Sequence, residues 1–599
     1  VDDAIIDVEN VFRRLRQWQA DPRGRSALKV VYQASREVRA SILSATAIII
    51  IVFLPLFFLD SVEGRLLRPL GIAYIVATLA SLLVAMTVTP VLCFLLLPQA
   101  ATDAQEGRLL RWFGGRYRRA LAWGLNSPGW VVGAAAGALL VTLIAVPSLG
   151  TAFLPAFNEG ALTISVVTVP GTSLAEADAI GNRVERILLS RPGVRTTDRR
   201  QGRAELDEHA QGSNAAEIDV TLEPGIDRDL LTATLREAFS AVPGTNITIG
   251  QPIGHRIDHL LSGTRANIAV KIFGPDLRRL RDLGTEVRDR IQPIPGLVDL
   301  QLEQQSDVPE LRVEADRGAL ARHGLTAADL TEIVDVALGG EQVGEILEEG
   351  RRTALVVRAD EALRADRTAI GRLAVAAPTG RDIPLSQLAR ITVDRGPNTV
   401  SRENGQRKIV VQANVSGRDL GGAVAEIQRV VASQVRLPAG YHVEYGGQFE
   451  AQRESTRILL SVSVVVAAMI YLLLFSQFRS GRIAGLAMAN LPLALIGGVA
   501  AVFATTGIVS VASLVGFVTL FGIATRNGIL LLAHYRHLRR QGVSLREAVE
   551  RGSEERLAAI LMTALTAGLA LIPLALGGGK PGNEIQTPMA IVILGGLLS

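Results

Sequence analysis

Apolar positions are grouped along the chain into long runs that polar segments separate. Seven of these runs are long enough, or nearly so, to cross a bilayer as a helix, which takes about 20 residues. They lie at 38–59, 70–97, 129–149, 456–476, 483–506, 509–535 and 557–577. Shorter runs at 1–10 and 587–599 predict partial spans at the two ends of the chain. The pattern therefore predicts a polytopic α-helical membrane protein.

The segment between the third and fourth runs contains no further apolar run and predicts a folded region outside the membrane. Its hydrophobic pattern predicts three βαβ units, at 161–169, 173–189 and 215–222, at 267–273, 277–291 and 297–301, and at 408–415, 420–435 and 442–445. The last two units flank an insertion, 317–404, with its own helix at 327–337 and strands at 353–357 and 373–377. We expect a split α+β domain that carries an inserted subdomain.

Basic residues indicate how the chain crosses the membrane. Loops rich in arginine at 13–36, 98–128 and 536–556 alternate with poor ones near 60–69 and 505–510. Since basic loops stay in the cytoplasm, the large α+β region is expected on the opposite side. Within the second basic loop, Arg108 to Trp123 has amphipathic spacing. It is either a helix along the inner membrane surface or a soluble connecting helix.

Composition excludes several classes of protein. With 48% hydrophobic residues, the 599-residue chain is too apolar for disorder. A net charge of +4 is too small for a nucleic-acid binder of this length. The one cysteine, Cys93, excludes an intrachain disulfide and any cysteine-based zinc or iron–sulfur site. The chain begins at Val1 inside a helical pattern and stops at Ser599 inside an apolar run, as expected of a fragment.

The sequence contains an internal repeat. One copy has VDDAI at 1–5, a basic loop and RASILSAT at 39–46. The other has ATRNGI at 524–529, a basic loop and RLAAILMT at 556–563. Both continue into an apolar run, a short loop containing glycine and a further span. Duplicated spans are typical of transporters, whose functional groups lie at the interface between the copies.

Charged residues fall inside the predicted spans. Asp2, Asp3, Asp7 and Glu9 lie in the partial first span, and Arg526 lies deep within an apolar run. Such charges are costly in a bilayer and usually face the bundle interior in pairs. Because Asp2 and Arg526 occupy equivalent repeat positions, we expect Arg526 to face Asp2 and Asp3. Protonating a carboxylate would release the arginine, which is proton coupling. A static buried ion pair is the alternative, and Glu9 alternatively lies solvated at the cytoplasmic interface.

These residues resemble the resistance–nodulation–division (RND) superfamily of proton-driven efflux pumps. VDDAII followed by VEN is similar to the family's fourth transmembrane helix, ATRNGIL to its tenth and ILMT to its eleventh. In the extramembrane region three segments resemble the heavy-metal efflux branch. They are HRIDHLLSG at 255–263, FGPDL at 273–277 and YGGQFE at 445–450. The alanines at 558 and 559 depart from the Arg-Pro common before the eleventh helix.

The resemblance implies an architecture and an assembly. Residues 1–149 would hold transmembrane helices four (partial) to seven, and 453–599 helices eight to twelve, the last one partial. A periplasmic porter domain would comprise one subdomain at 150–263 and a second, split one at 264–316 and 405–452, with a docking subdomain at 317–404. The family also implies a homotrimer in the inner membrane of a Gram-negative bacterium, with a periplasmic adaptor and an outer-membrane channel.

The resemblance also implies roles for residues. Asp2 and Asp3 would carry the proton, with Arg526 (often Lys in the family) as their basic partner. Arg556 and Thr563 would complete the relay. The protein would be a secondary transporter and not an enzyme, with no cofactor; a metal ion would be its cargo.

Ligand chemistry distinguishes the metal ions that the chain could carry. Cu(I) and Ag(I) favour thioethers, yet all five methionines lie in membrane segments. Zn(II), Co(II), Ni(II) and Cd(II) accept imidazole and carboxylate. His255 and His259, spaced i, i+4 with Asp258 between them, are candidates for such a metal pathway. So are Glu9, which matches an acidic position in metal-exporting members of the family, and Asp7.

Each candidate on the metal pathway has an ordinary alternative. The histidines are alternatively hydrogen-bonded side chains of a loop. A second acidic cluster is alternatively a solvated surface, and it consists of Glu205, Asp207, Glu208 and His209.

Proton-driven export of divalent metal cations is the function we expect. A multidrug exporter of the same fold is the alternative, although residues 150–452 contain few aromatic side chains and no tryptophan for a drug pocket. A membrane-anchored assembly or sensor protein is a third hypothesis, which the buried acids and the repeat disfavour.

Overall fold

The computed structural model describes residues 2–20, 26–59, 62–103, 108–155, 157–202, 212–264 and 266–599. Among them, seven helices are long and apolar enough to cross a membrane, which confirms the seven predicted spans. The chain is a multi-pass membrane protein with an α+β region between its third and fourth spans. The helices of the N-terminal membrane segment are α1 (Asp2–Ala20), α2 (Ala27–Val52), α3 (Val62–Asp103), α4 (Arg108–Asn126) and α5 (Pro128–Ala145).

The helices of the C-terminal membrane segment follow the α+β region. They are α16 (Gln448–Phe478), α17 (Gly481–Met488), α18 (Asn490–Ala504), α19 (Val511–Arg540), α20 (Leu545–Leu576) and α21 (Gln586–Leu598). Helix α1 corrects the prediction of a basic loop at 13–36, because it runs on through Arg13, Arg14 and Arg16. Only residues 21–26 then separate it from α2, and its basic last turns project beyond the apolar part of the span.

Helix α4 confirms that the amphipathic segment after α3 is helical. Its aromatic side chains Trp112, Phe113 and Trp123 are exposed, and the Arg116 guanidinium lies 3.9 Å from the Trp112 ring centre. Arg118 pairs with Glu554 at 2.7 Å, which ties α4 to α20. An exposed aromatic and basic face is typical of helices at a membrane surface, so that placement stays a prediction.

The first extramembrane sheet has four antiparallel strands in the order β3-β4-β2-β5. Its elements are β2 (Ala161–Thr168), α6 (Leu174–Leu189), β3 (Val194–Gln201), β4 (Ala215–Leu222), α7 (Arg228–Ser240), β5 (Thr245–Gly250) and α8 (Pro252–Ser262). The predicted strands and helix of this unit are confirmed. Strand β3, which the sequence pattern did not predict, completes the βαβ unit, and β4 lies between β2 and β3. The strand that precedes the sheet, β1 (Gly150–Thr151), pairs in parallel with β17 (Ile508–Val509), directly before α19.

The second sheet is formed by two stretches of the chain, one before and one after the insertion. Its elements are β6 (Ile268–Phe273), α9 (Leu277–Ile291), β7 (Leu297–Leu302), β14 (Arg402–Glu403), β15 (Gln406–Val415), α15 (Leu420–Gln434) and β16 (His442–Gly447). Strand β15 lies between β6 and β7 and is antiparallel to both. Helices α9 and α15 cover one face through a core that includes Ile272, Leu283 and Ile427. The sequence pattern predicted both helices and all these strands except β14.

The insertion is connected to the second sheet by an antiparallel ribbon of β8 (Asp307–Ala315) and β13 (Ala389–Pro397). The elements between them are α10 (Arg317–Arg322), α11 (Ala327–Val334), β9 (Glu341–Glu348), β10 (Arg351–Val357), α12 (Glu361–Ala365), α13 (Arg367–Gly371), β11 (Ala374–Ala376), β12 (Asp382–Pro384) and α14 (Leu385–Leu388). The insertion has its own hydrophobic core. The predicted helix 327–337 is shorter, since it changes into a π-helical turn after Val334. The exact subdomain boundaries stay predictions.

Candidate functional site

A buried ion pair joins the two copies of the sequence repeat. The Nη2 atom of Arg526 on α19 lies 3.8 Å from Oδ1 of Asp3 on α1, and the two side chains are 5% and 7% exposed. Helix α19 begins with a capping box of Ser510 and Ser513. Arg526 is therefore about 22 Å along the helix at 1.5 Å per residue, well inside a hydrocarbon core about 30 Å thick. Asp2 belongs to α1, but its side chain lies outside the described part of the structure.

A second buried pair lies farther along α1. Oε2 of Glu9 is 3.1 Å from Nη1 of Arg556 on α20, and these side chains are 12% and 8% exposed. Glu9 is six residues, or about 9 Å, beyond Asp3 in the direction of the basic end of α1. This contact is contrary to the alternative that Glu9 is a solvated residue at the interface.

The structure separates Asp7 from Glu9. Oδ2 of Asp7 accepts a hydrogen bond of 3.2 Å from the Ser35 hydroxyl on α2, and the Asp7 side chain is buried. Glu9 instead faces α20. The two acids are two residues apart on a helix and therefore point in different directions. They do not form one metal-binding pair.

Thr563 lies on the same side of α20 as Arg556. The two residues are seven apart, which is close to two helical turns, and both are buried. Thr563 lies about 10 Å from Arg556 along the axis, on the side away from the basic ends of α1 and α19. The charged and hydroxyl side chains assigned to the relay, from Asp3 and Arg526 to Arg556 and Thr563, thus come from α1, α19 and α20.

The predicted histidine pair lies outside the membrane on α8, so the helical spacing of His255 and His259 is confirmed. His255 Nδ1 is 3.4 Å from Glu217 Oε1 on β4. Asp258 instead accepts hydrogen bonds from Gln448 at 2.7 Å and Asn267 at 3.2 Å. His255 and Asp258 are therefore held by different elements. Burial raises the pKa of Asp258 to about 7, and these two hydrogen bonds offset the increase only in part.

The described residues contain no group of three or more His, Cys, Asp or Glu side chains that could hold a metal ion. The acidic cluster of Glu205, Asp207, Glu208 and His209 lies outside the described residues. Glu9, Asp7 and the α8 residues thus stay candidates for contact with a passing ion. They do not form a coordination sphere.

A cavity of about 510 Å³ lies beside α8, where the two sheets meet the ends of α19 and α21. Charged and polar residues line much of it, among them Arg228, Arg236, His255, Asp258 and Arg418. Apolar side chains such as Leu154 and Ile257 complete the wall. The volume is large enough for a hydrated ion, and both signs of charge are present.

A cluster that the sequence pattern did not predict lies at the far end of the buried charges. Oε2 of Glu555 lies 2.7 Å from both Arg13 Nη1 and His534 Nε2, and its other oxygen accepts a hydrogen bond of 2.8 Å from Arg551. One signal was available, since Glu555 directly precedes Arg556 in the repeat motif. His534 gave no comparable signal, because it is a single histidine near the end of a mainly apolar run.

Comparisons with known proteins agree with this architecture. Residues 1–599 match the model of the AcrB/AcrD/AcrF family. The whole chain is 35% identical to the cobalt-zinc-cadmium resistance protein CzcA of Cupriavidus metallidurans, of which it covers 58%. It is 31% identical to the nickel and cobalt resistance protein CnrA of the same organism, of which it covers 57%. It is also 28% identical to the cation efflux system protein CusA of Escherichia coli, of which it covers 59%.

A solved structure is also similar to this chain. The crystal structure of a heavy metal efflux pump superposes on all of the chain with a TM-score of 0.81 at 30% identity, and the chain covers 58% of that structure. The chain thus spans a little over half the length of the relatives and of the structure that it matches. Its motifs, its fold and the full-length family match together show that the chain belongs to the AcrB/AcrD/AcrF family of the RND superfamily.

Proposed function

We propose that this chain is the greater part of a proton/cation antiporter that exports divalent heavy-metal cations. The observation that carries the proposal is the Asp3–Arg526 pair, which is buried among membrane-spanning helices at 5% and 7% exposure. A charged pair at this depth is expensive in a bilayer and is typical of proton relays. Relatives named as metal resistance and cation efflux proteins support a role as a transporter and not as an enzyme.

The proposed coupling depends on the long distance between the two charged groups of that pair. At 3.8 Å, the guanidinium and the carboxylate attract each other without a short hydrogen bond. When Asp3 takes up a proton from the periplasmic side, the attraction is lost and Arg526 turns to another partner. Two arrangements of α1 against α19 then differ in protonation, as alternating access requires. Asp2, Arg556 and Thr563 are proposed to complete this relay.

Divalent zinc, cobalt, nickel or cadmium is the proposed cargo. The acidic and imidazole side chains of Asp258, His255 and His259 suit these ions, whereas the extramembrane region contains no methionine for copper or silver. Relatives named for resistance to cobalt, zinc, cadmium and nickel are 31–35% identical to the chain. We propose that an ion reaches the cavity beside α8 and exchanges ligands there, with Asp7 and Glu9 as further acidic contacts. No resident cofactor is proposed.

The proposed assembly is that of a tripartite pump. A homotrimer in the inner membrane of a Gram-negative bacterium would contact a periplasmic adaptor and an outer-membrane channel. The insertion between β8 and β13 supports this proposal, since it is a separately packed unit at the end of a two-stranded ribbon and is suited to docking.

The test is a substrate profile of the protein in its natural length. A deletion strain is assayed for growth in zinc, cobalt, nickel and cadmium salts and, in parallel, in dyes and detergents. We expect loss of metal tolerance only, restored by the wild-type gene. In everted membrane vesicles, zinc uptake should stop when a protonophore removes the proton gradient. Loss of dye and detergent tolerance alone would favour the multidrug alternative. Normal uptake in the presence of the protonophore would refute proton coupling.

A further inference from the structure

A chain of charged side chains continues from the Arg556–Glu9 pair to the basic end of the helices. Oε1 of Glu9 lies 3.9 Å from Nε of Arg13, and Nη1 of Arg13 lies 2.7 Å from Oε2 of Glu555. The same Glu555 oxygen is 2.7 Å from Nε2 of His534. Two carboxylates and three basic groups therefore alternate along one connected path through α1, α19 and α20.

His534 lies at the cytoplasmic boundary of α19. It follows Arg526 by eight residues, or about 12 Å along the helix. Basic residues begin directly after it, with Arg536, Arg539 and Arg540, and such residues mark the cytoplasmic side. The imidazole itself is buried, with 5% of its side chain exposed. It is thus at the point where a proton that crosses the membrane along these helices would reach the cytoplasm.

Charged groups face His534 from α1 and α20, and a second imidazole lies near it on α19. Glu555 and Arg556 come from α20 and Arg13 from α1, while His537 on the same helix has its ring centre 6.4 Å away. Imidazole is the side chain whose charge ordinarily changes between pH 5 and 8. Burial and the two arginines oppose the imidazolium, whereas the Glu555 carboxylate at hydrogen-bond distance stabilises it. The charge of His534 therefore depends on whether the Glu555 carboxylate pairs mainly with His534 or with Arg13.

We propose that His534 is a protonation site on the cytoplasmic side of the transporter and that its charge sets how firmly Glu9 holds Arg556. This inference rests on the proposed function. When a proton from cytoplasmic water binds the imidazole, the imidazolium attracts Oε2 of Glu555 more strongly, and Arg13 loses part of its hold on that oxygen. Arg13 then turns to Glu9, the other carboxylate that it already approaches. Glu9 is shared between two arginines, and Arg556 is held less firmly. Release of the proton to water reverses each step.

The arrangement gives cytoplasmic pH a direct effect on transport. A proton delivered from the periplasm has to leave into the cytoplasm before the next cycle. A protonated His534 weakens the Arg556–Glu9 pair and delays the release of that proton into the cytoplasm. Transport by the wild-type protein should therefore fall as the cytoplasmic side becomes acidic, and His534 should account for a distinct part of this fall.

The test uses the natural-length protein in proteoliposomes with an acidic lumen. Only molecules whose cytoplasmic face is outward carry zinc inward from the bath, and the bath pH is varied from about 6 to about 8, the range in which histidine titrates. His534→Gln removes the titrating imidazole, and Glu555→Gln removes the carboxylate charge that stabilises the imidazolium. His537→Gln is the matched control, because it lies one turn along α19 and bonds Gln541 instead. Dividing each rate by the wild-type rate at the same pH cancels the change in driving force.

We expect the ratio for His534→Gln to be at least about threefold higher at the acidic end than at the alkaline end, with the same trend for Glu555→Gln. The ratio for His537→Gln should be constant. Thermal unfolding in detergent identifies a variant that is misfolded. The ratio for the other, folded variant then tests the role of His534. A constant ratio for both folded variants overturns the role of His534 while leaving proton-coupled transport intact. Absence of proton-dependent zinc uptake by the wild type overturns the proposed function and this inference with it.

Discussion

Arg526 of α19 and Asp3 of α1 form a buried pair in which Nη2 and Oδ1 are 3.8 Å apart. The two residues belong to the equivalent segments that open the two copies of the sequence repeat. Their contact therefore lies at the interface between the copies, where transporters of this kind place their functional groups. Because both side chains are buried and water does not screen them, the charge state of one residue strongly affects the free energy of ionising the other.

Asp3→Asn should abolish proton-driven transport while leaving the protein in the membrane. The amide keeps the shape of the side chain but cannot take up and release a proton, and Arg526 loses the negative charge of Asp3. Zinc uptake in everted vesicles is the measurement. The matched control is Glu550→Gln, which removes a carboxylate from an exposed pair with Arg546 on α20 and should transport normally. Normal uptake by Asp3→Asn would exclude Asp3 from the relay.

Arg526→Lys should retain part of the transport rate, and Arg526→Met should retain none. A lysine keeps the positive charge opposite Asp3, although without the planar guanidinium, whereas methionine has a similar length and no charge. The same vesicle assay compares the two variants at equal protein amounts. Equal loss in both would show that the shape of the arginine, and not its charge, is required.

The Arg556–Glu9 pair should behave as a coupled unit in a double-mutant cycle. Removing one partner leaves a buried charge, so Glu9→Gln and Arg556→Met should each lower stability by about 3 kcal/mol or more. The double variant leaves neither charge and should recover part of this loss, with a coupling energy of about 1–3 kcal/mol. Unfolding of the detergent-solubilised protein by heat or denaturant measures it. Additive effects would mean that the two side chains act independently.

The sequence predicted the spans and the pair between repeats for physical reasons. A run of apolar residues long enough for the bilayer forms a helix because no other structure satisfies its backbone there. The repeat then placed Arg526 opposite the N-terminal acids. Side-chain partners such as Ser35 for Asp7 depend on how α1 packs against α2, which no local pattern encodes.

The partners of the α8 residues outside the membrane could not be predicted from local sequence either. Helical spacing correctly predicted that His255 and His259 lie on one helix. It could not predict that β4 brings Glu217 to His255 while Gln448 and Asn267 bind Asp258, because these partners are distant in sequence. His534 and Glu555 were missed for a related reason. Their significance comes from the shared contact with Arg13 on a third helix.

The packing of α18 against α21 should be sensitive to the size of the side chain at Gly497. A Cβ atom at Gly497 would overlap the carbonyl oxygen of Gly595, which is backbone and cannot turn aside. Gly497→Ala should therefore force the helices apart and lower stability by about 1–3 kcal/mol. Gly485→Ala on α17 is the control, since its Cβ would enter open space. Equal melting temperatures for the two variants would contradict this close packing.

Asp258 should make the stability of the extramembrane region depend on pH. Its folded-state pKa of about 7 is above the ordinary value of 3.8, because burial disfavours the charged carboxylate. The folded state thus binds the proton more tightly. The stabilisation is complete below pH about 4 and is lost as the pH rises through about 7, and the difference corresponds to about 4 kcal/mol.

Asp258→Asn removes this titration and should flatten the pH dependence of thermal unfolding between pH about 5 and 8, the range around the folded-state pKa. The variant should be more stable than the wild type at the alkaline end, because an amide is not penalised for burial as a carboxylate is, and the side chains of Gln448 and Asn267 can rotate to bond it. Asp394→Asn is the control, since that carboxylate is half exposed in its pair with Arg312 and should leave the profile unchanged. An unaltered slope in Asp258→Asn would mean that the carboxylate is ionised at neutral pH, and that water or another group reaches it beside α8.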